Sequence, residues 1–143
     1  MTDVSLKAFR FALPTMIEFD SEESGKAKAT TEFPQEFFGL PAPEQVSVIG
    51  ALLRACELHL ENMGQADHSK CSEPEYSSLH IGISVVLKKS PRLVIDAEFN
   101  FPNQWNDMAH DARRKVLLAF SYLMQNAGIS IVEREDKYGA LNV

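Results

Sequence analysis

The sequence predicts an α+β fold with two layers, a largely antiparallel sheet and two amphipathic helices packed on it. Several short runs alternate apolar and polar residues, as half-buried strands do, and turn-forming residues join neighbouring runs into hairpins. Two longer segments repeat apolar residues at spacings of three and four, as helices that bury one side do. The predicted order is β-β-β-α-β-β-α-β.

Residues 1–143 are expected to form a single domain, because this length buries a core without disulfides or metal ions. No internal repeat is apparent in the sequence. We expect a flexible loop at about 64–76 and a flexible tail at about 135–143, since polar and charged residues dominate both segments.

The N-terminal third contains three predicted strands. The first alternating run stops at Pro14, because proline provides no donor for a strand ladder. Residues 15–20 and 26–33 then form a hairpin whose register follows from its charges, with Glu18 opposite Lys28. Such a pair stabilises a ladder by ~0.2–1 kcal/mol.

The first helix is predicted to begin near Pro43 and to end at Gly64, which are residue types typical of the two ends of a helix. The loop before it, residues 34–43, carries Phe37 and Phe38. Two interpretations remain open for these aromatic side chains. They are either a flap over the core or an exposed patch that binds a partner.

The clearest hairpin pairs residues 77–88 with residues 92–101, because five apolar side chains share one face in each segment. The predicted register places His80 opposite Asn100. One alternative function follows from the outward row of this hairpin, where His80 then lies near Asp96 and Glu98. A histidine beside carboxylates is suited to general acid–base catalysis or to ligand binding.

The second helix is predicted to begin at Asn103 and to end at Gly128, before a last strand at 129–132. Between 116 and 124 its residues are apolar almost all round the helix. A helix on a protein surface needs only one apolar side, so this stretch must cover a second surface, within the fold or on another subunit. The residues predicted to face a second copy in a homodimer are Leu117, Phe120 and Met124.

Charge is unevenly distributed along the chain. There are 14 basic and 20 acidic side chains, and the net charge is −6. This balance argues against direct nucleic-acid binding, which depends on Lys and Arg. Four acidic residues lie around the tip of the first hairpin. They are Glu18, Asp20, Glu22 and Glu23. We predict that these residues either keep the protein soluble or bind a basic partner, such as a nucleic-acid-binding protein.

Four residues in the middle of the chain are candidate zinc ligands. Cys56 and His59 are three apart on the first helix, so both can reach one ion, and His68 and Cys71 follow in the loop. Against this site, Cys56 occupies an apolar position of its helix and packs there as a small hydrophobic residue. No cofactor is assigned, because the sequence has no glycine-rich phosphate loop and no nucleophile elbow.

These observations favour a small acidic protein that regulates others by protein–protein contact. Such a protein would be an inhibitor or adaptor of the kind that phages and mobile elements carry. We also predict that it forms a homodimer. The alternatives are an enzyme or ligand-binding protein that uses the His80 face, and a zinc-stabilised domain. Two cysteines, the absence of a signal peptide and the absence of a long apolar run predict a cytoplasmic protein without a membrane segment.

Overall fold

The computed structural model of the chain describes residues 8–19, 27–63, 78–88 and 92–138. The elements are β1 (Ala8–Phe19), β2 (Ala27–Thr31), α1 (Gln35–Phe38), α2 (Ala42–Asn62), β3 (Ser78–Lys88), β4 (Val94–Asn100), α3 (Gln104–Asp107) and α4 (His110–Tyr138). The predicted α+β fold with two layers is confirmed. The predicted loop at 64–76 lies outside the described residues, whereas residues 135–138 of the predicted tail continue α4.

The described strands form one antiparallel sheet in the order β2-β1-β3-β4. The register predicted for the first hairpin is confirmed, with Glu18 opposite Lys28 and Ile17 opposite Ala29. β1 and β3 occupy the centre and pair over eleven positions, from Ala8 opposite Lys88 to Glu18 opposite Ser78.

Pro14 does not divide β1, which corrects the prediction of two strands there. Its carbonyl oxygen accepts a hydrogen bond of 3.3 Å from the backbone N–H of Glu32, so its polar groups face β2. β2 ends at Thr31, one residue before that partner. The missing N–H of Pro14 therefore falls where the β1–β2 ladder ends, and the ladder to β3 continues past it, with Pro14 opposite Gly82.

The core lies between one face of the sheet and the two long helices. The side chains of Leu13, Ile17, Ile83 and Val85 are 0–1% exposed on that face. The helices run antiparallel: the Cys56 thiol near the end of α2 donates a hydrogen bond to the Leu117 carbonyl near the start of α4. The opposite face of the sheet is not covered by any described element.

α4 replaces two predicted elements, because Gly128 does not end the helix and residues 129–132 are not a strand. Ile131 is 5% exposed and follows the buried Met124 by two helical turns, so the buried side of α4 continues through this segment. A Cβ atom at Gly128 would lie 3.4 Å from the Ile49 side chain. α2 therefore packs close to α4 at this position, where an added Cβ would just reach van der Waals contact, and the glycine is not a stop signal here.

The described elements form two ββαα units, a structural repeat that is not apparent in the sequence. The first unit is β1-β2-α1-α2 and the second is β3-β4-α3-α4. Adding 68 to both members of a pair in the first hairpin gives a pair in the second, as Ile17 opposite Ala29 becomes Val85 opposite Ala97. The same offset relates Pro14 to Gly82, which lie opposite each other, so a pseudo-twofold axis passes through this pair.

The two units also have equivalent core positions and an equivalent hydrogen bond from the long helix to the segment before it. Equivalent positions of the long helices are buried in both units: Val48 and Val116, Ile49 and Leu117, Leu52 and Phe120, Cys56 and Met124. Gln45 donates to the carbonyl of Leu40 (2.9 Å) after α1. Its equivalent, Arg113, donates to the carbonyl of Trp105 (2.8 Å) in α3. Each long helix therefore holds the short helix before it in the same way.

Phe120 tests whether this core is assigned correctly. Its ring is 1% exposed and lies 5.1 Å from the ring of Phe99. Phe120→Ala should lower the free energy of unfolding by about 3–5 kcal/mol, because it leaves a cavity. Leu118→Ala, on the solvent side of the same helix, should cost less than about 1 kcal/mol. Equal losses in urea unfolding would show that the two sides of α4 are assigned wrongly.

Candidate functional site

The predicted acidic tip is only partly described. Glu18 is exposed at the end of β1 and pairs across the ladder with Lys28. The other three acidic residues, Asp20, Glu22 and Glu23, lie outside the described residues. A basic partner for this tip therefore stays a prediction.

The two aromatic side chains of α1 have different environments. Phe37 is 1% exposed, and its ring lies 4.6 Å from that of Phe33 and 6.2 Å from that of Phe11. Phe38 is 56% exposed and touches Phe37 edge to face at 5.5 Å. Phe37 is thus a core residue that anchors α1, and only Phe38 is available to a partner.

The structure separates the residues of the predicted histidine–carboxylate site. Ser84 lies opposite Glu98 and Val86 opposite Asp96, so β4 is shifted by two residues from the predicted register. Glu98 lies opposite Ser84, and His80 is four residues from Ser84 along β3, which is about 13 Å. A shift of two keeps every side chain on its predicted face, so the apolar pattern could not reveal it.

Cys56 and His59 point to different neighbours and do not form the start of a zinc site. The Cys56 thiol is fully buried and donates to the Leu117 carbonyl at 3.1 Å. The His59 ring lies 5.2 Å from the ring of Phe99 and 5.2 Å from that of Phe101. Among the described residues, no group of three His, Cys, Asp or Glu side chains could hold a metal ion. His68 and Cys71 lie outside them.

The buried thiol should be chemically inert. Burial, with a smaller contribution from the nearby Glu57 carboxylate, raises the pKa of Cys56 to about 12. A Cys71→Ser variant should therefore react with a disulfide reagent at about pH 8 far more slowly than a free thiol, because almost no thiolate forms. In guanidinium the same variant should react at the full rate. Rapid labelling of the native protein would contradict the assigned position of Cys56.

His59 predicts a dependence of stability on pH. Burial lowers its pKa from the ordinary value of 6.5, so the unfolded chain binds a proton at a higher pH than the folded chain. The contribution of His59 to the free energy of unfolding is complete above the ordinary pKa of 6.5. It is lost as the pH falls below 6.5 towards the lower pKa of the folded chain. The free energy of unfolding should drop less between about pH 7.5 and about pH 5.5 in His59→Gln than in the wild type. Equal drops would exclude His59 as the cause.

The open face of the sheet does not resemble a nucleic-acid platform. Nucleic acids bind to sheets through stacked aromatic side chains and excess positive charge. The described side chains on this face include no Phe, Tyr or Trp, and their one aromatic ring is the imidazole of His80. Their basic and acidic groups balance: Arg10, Lys28 and Lys88 against Glu18, Asp96 and Glu98. The pseudo-twofold axis passes through its centre, where Pro14 and Gly82 leave the surface flat.

The predicted dimer residues are part of the core, which corrects that assignment. Leu117, Phe120 and Met124 are 0–1% exposed within one chain. The second apolar side of α4 is formed instead by Leu118, Tyr122, Ile129 and Val132, which are 46%, 68%, 55% and 45% exposed. These four lie within about 80° of each other around the helix, on the side opposite the core. We call them the outward stripe of α4.

An open groove of about 910 Å³ adjoins the first half of the outward stripe. One wall is α4, through Leu118, Tyr122 and the stem of Lys115. The other wall is the end of the first hairpin, including Phe19 and Ala27, where β2 is the edge strand of the sheet. The apolar surface therefore extends from the outward stripe to the first hairpin, and the positive charge of Lys115 lies at its edge.

The repeat provides a comparison within the molecule. The equivalents of Leu118 and Tyr122 on α2 are Gly50 and Arg54, and the equivalent of Ile129 is Glu61. The two helices therefore share their core positions but differ at the positions that form the outward stripe. Since the same fold accepts Gly, Arg and Glu at these positions of α2, the outward stripe of α4 is not required by packing.

α4 has a second property that its sequence did not suggest. Between His110 and Arg134 an 18-residue window has a mean hydropathy of 1.3, which is long and apolar enough to cross a membrane by length and composition. Core helices of soluble proteins pass the same test. One side of this segment forms the core described above, so the property is weak evidence for a membrane span.

Comparisons of the chain with protein-family models, with curated proteins and with solved structures find no match.

Proposed function

We propose that the chain is a small protein-binding module of the inhibitor or adaptor type, and that the outward stripe of α4 is its docking surface. The observation that carries the proposal is the divergence of the two repeats. Both long helices are apolar towards the core, and only α4 carries large apolar side chains at the stripe positions.

The exposure of the stripe's apolar side chains to water is unfavourable, and a bound partner would remove this exposure. Four large apolar groups are 45–68% exposed on one side of one helix, next to an open groove. Scattered exposed apolar residues are ordinary, but a contiguous patch is typical of a protein contact site. Burial of this patch in a complex would contribute about 25 cal/mol per Å² of apolar surface removed from water. This contribution is offset in part by the entropy that the two partners lose on association.

The chemistry of the stripe also suits a protein partner. Tyr122 is the most exposed of its residues and lies in its first half, and tyrosine is enriched among the residues that dominate binding energies. Polar side chains at Ser121 and Asn126 flank it and supply the hydrogen-bonding rim of a typical interface. We expect this contact to take place in the cytoplasm.

Site-specific photo-crosslinking tests the proposal. A benzophenone amino acid replaces Tyr122 in one variant and Arg54, the repeat-equivalent residue of α2, in the control. Irradiation in the native host should give discrete protein adducts from position 122 and none from position 54. An absence of adducts from position 122, or equal labelling from both, would rule out the stripe as a docking surface.

A further inference from the structure

We propose that the occupant of the outward stripe is a second copy of the same chain, with the two α4 helices antiparallel across a twofold axis at Gln125. This inference rests on the proposed function and names its partner. It replaces the residues first predicted for a homodimer with the opposite side of the same helix.

The spacing of the stripe suits a helix pair. Leu118, Tyr122, Gln125, Ile129 and Val132 follow one another at intervals of four, three, four and three residues. This alternation is the pattern by which two helices interlock along a seam. In an isologous pair centred on Gln125, Leu118 meets Val132 of the second copy and Tyr122 meets its Ile129, so each large side chain faces a smaller one.

Charge at the two ends of the seam decides its direction. Arg114 and Lys115 are exposed near the start of α4, and Glu133 is exposed near its end. The neighbouring Arg134 is also exposed, but it lies about 160° from Leu118 around the helix and therefore away from the seam. Parallel helices would place these cations at the same level as their own copies and Glu133 level with Glu133, which brings like charges together at each end. The antiparallel pair places Lys115 beside Glu133 of the second copy at both ends, which is the favourable arrangement.

Gln125 fixes the register of the pair. Its amide is exposed and donates to the Ser121 hydroxyl at 3.2 Å within the chain. An amide has both a donor and an acceptor, so two copies at a twofold axis satisfy each other. A polar residue within an apolar seam specifies alignment at some cost in stability.

The size of the seam predicts a weak dimer. From Lys115 to Glu133 it is about 27 Å long at 1.5 Å per residue. One helix side with a groove wall is at the low end of stable interfaces, which bury about 800 Å² per partner. We therefore expect monomer and dimer to exchange, with a dissociation constant in the micromolar range.

Sedimentation analysis of the full chain tests the pairing. From about 10 to about 500 µM the wild type should shift from monomer towards dimer. Tyr122→Glu with Ile129→Glu, which sets like charges against each other across the seam, should remain monomeric with an unchanged far-ultraviolet spectrum. The control, Leu58→Asn, removes an exposed leucine of α2 by copying Asn126 and should dimerise as the wild type does.

Charge exchange tests the orientation. Lys115→Glu alone and Glu133→Lys alone should each weaken dimerisation, because each creates like-charge contacts at both ends of the seam. The double exchange should restore it. Single changes without effect, or a double variant that stays weak, would contradict the antiparallel arrangement.

Two further outcomes would overturn the second copy as occupant. One is a wild type that is monomeric at about 500 µM. The other is a monomer that binds phosphatidylcholine–phosphatidylserine vesicles through the stripe. Crosslinks from position 122 to a different protein, with a monomeric purified chain, would leave the proposed function standing and reject only this pairing.

Discussion

The ladder between β1 and β3 is the contact on which the rest of the structure depends. It is the longest strand pairing described, and it joins the two ββαα units at the centre of the sheet. Each unit contributes a hairpin and a long helix, and a single hairpin is only marginally stable by itself. Pairing across Pro14 and Gly82 gives one continuous apolar face, which α2 and α4 then cover together. The position of every other element follows from this junction.

Much of the sheet could be predicted because its side chains alternate. The charges of Glu18 and Lys28 were sufficient to set the register of the first hairpin, and the face assignment of β3 and β4 was correct. The two-residue shift between β3 and β4 was not predictable, since it changes no side chain's face. The repeat was equally hidden, because only five positions are identical between residues 11–62 and 79–130. The two units therefore resemble each other in which positions are buried much more than in which residues occupy them.

The candidate site was missed for a related reason. Between 116 and 124 α4 is apolar on two sides, and sequence alone does not say which side meets the sheet. The prediction assigned Phe120 to a partner, whereas the structure places Phe120 in the core and Tyr122 outside. The informative signal was present in the spacing of Leu118, Tyr122, Ile129 and Val132, which becomes visible only after α4 is known to continue past Gly128. Cys56, one of the four candidate zinc ligands, is a core residue whose equivalent in the second unit is Met124.

The two units form one cooperative structure around the β1–β3 ladder, which leaves the outward side of α4 free to diverge. Native-state hydrogen exchange tests it most directly, because it measures the opening free energy of each backbone amide. Leu13 and Ile81 are equivalent positions in the two central strands. Their amides should exchange with the same opening free energy, equal to that of global unfolding. Exchange of one strand through a lower-energy opening, while the other stays protected, would contradict it.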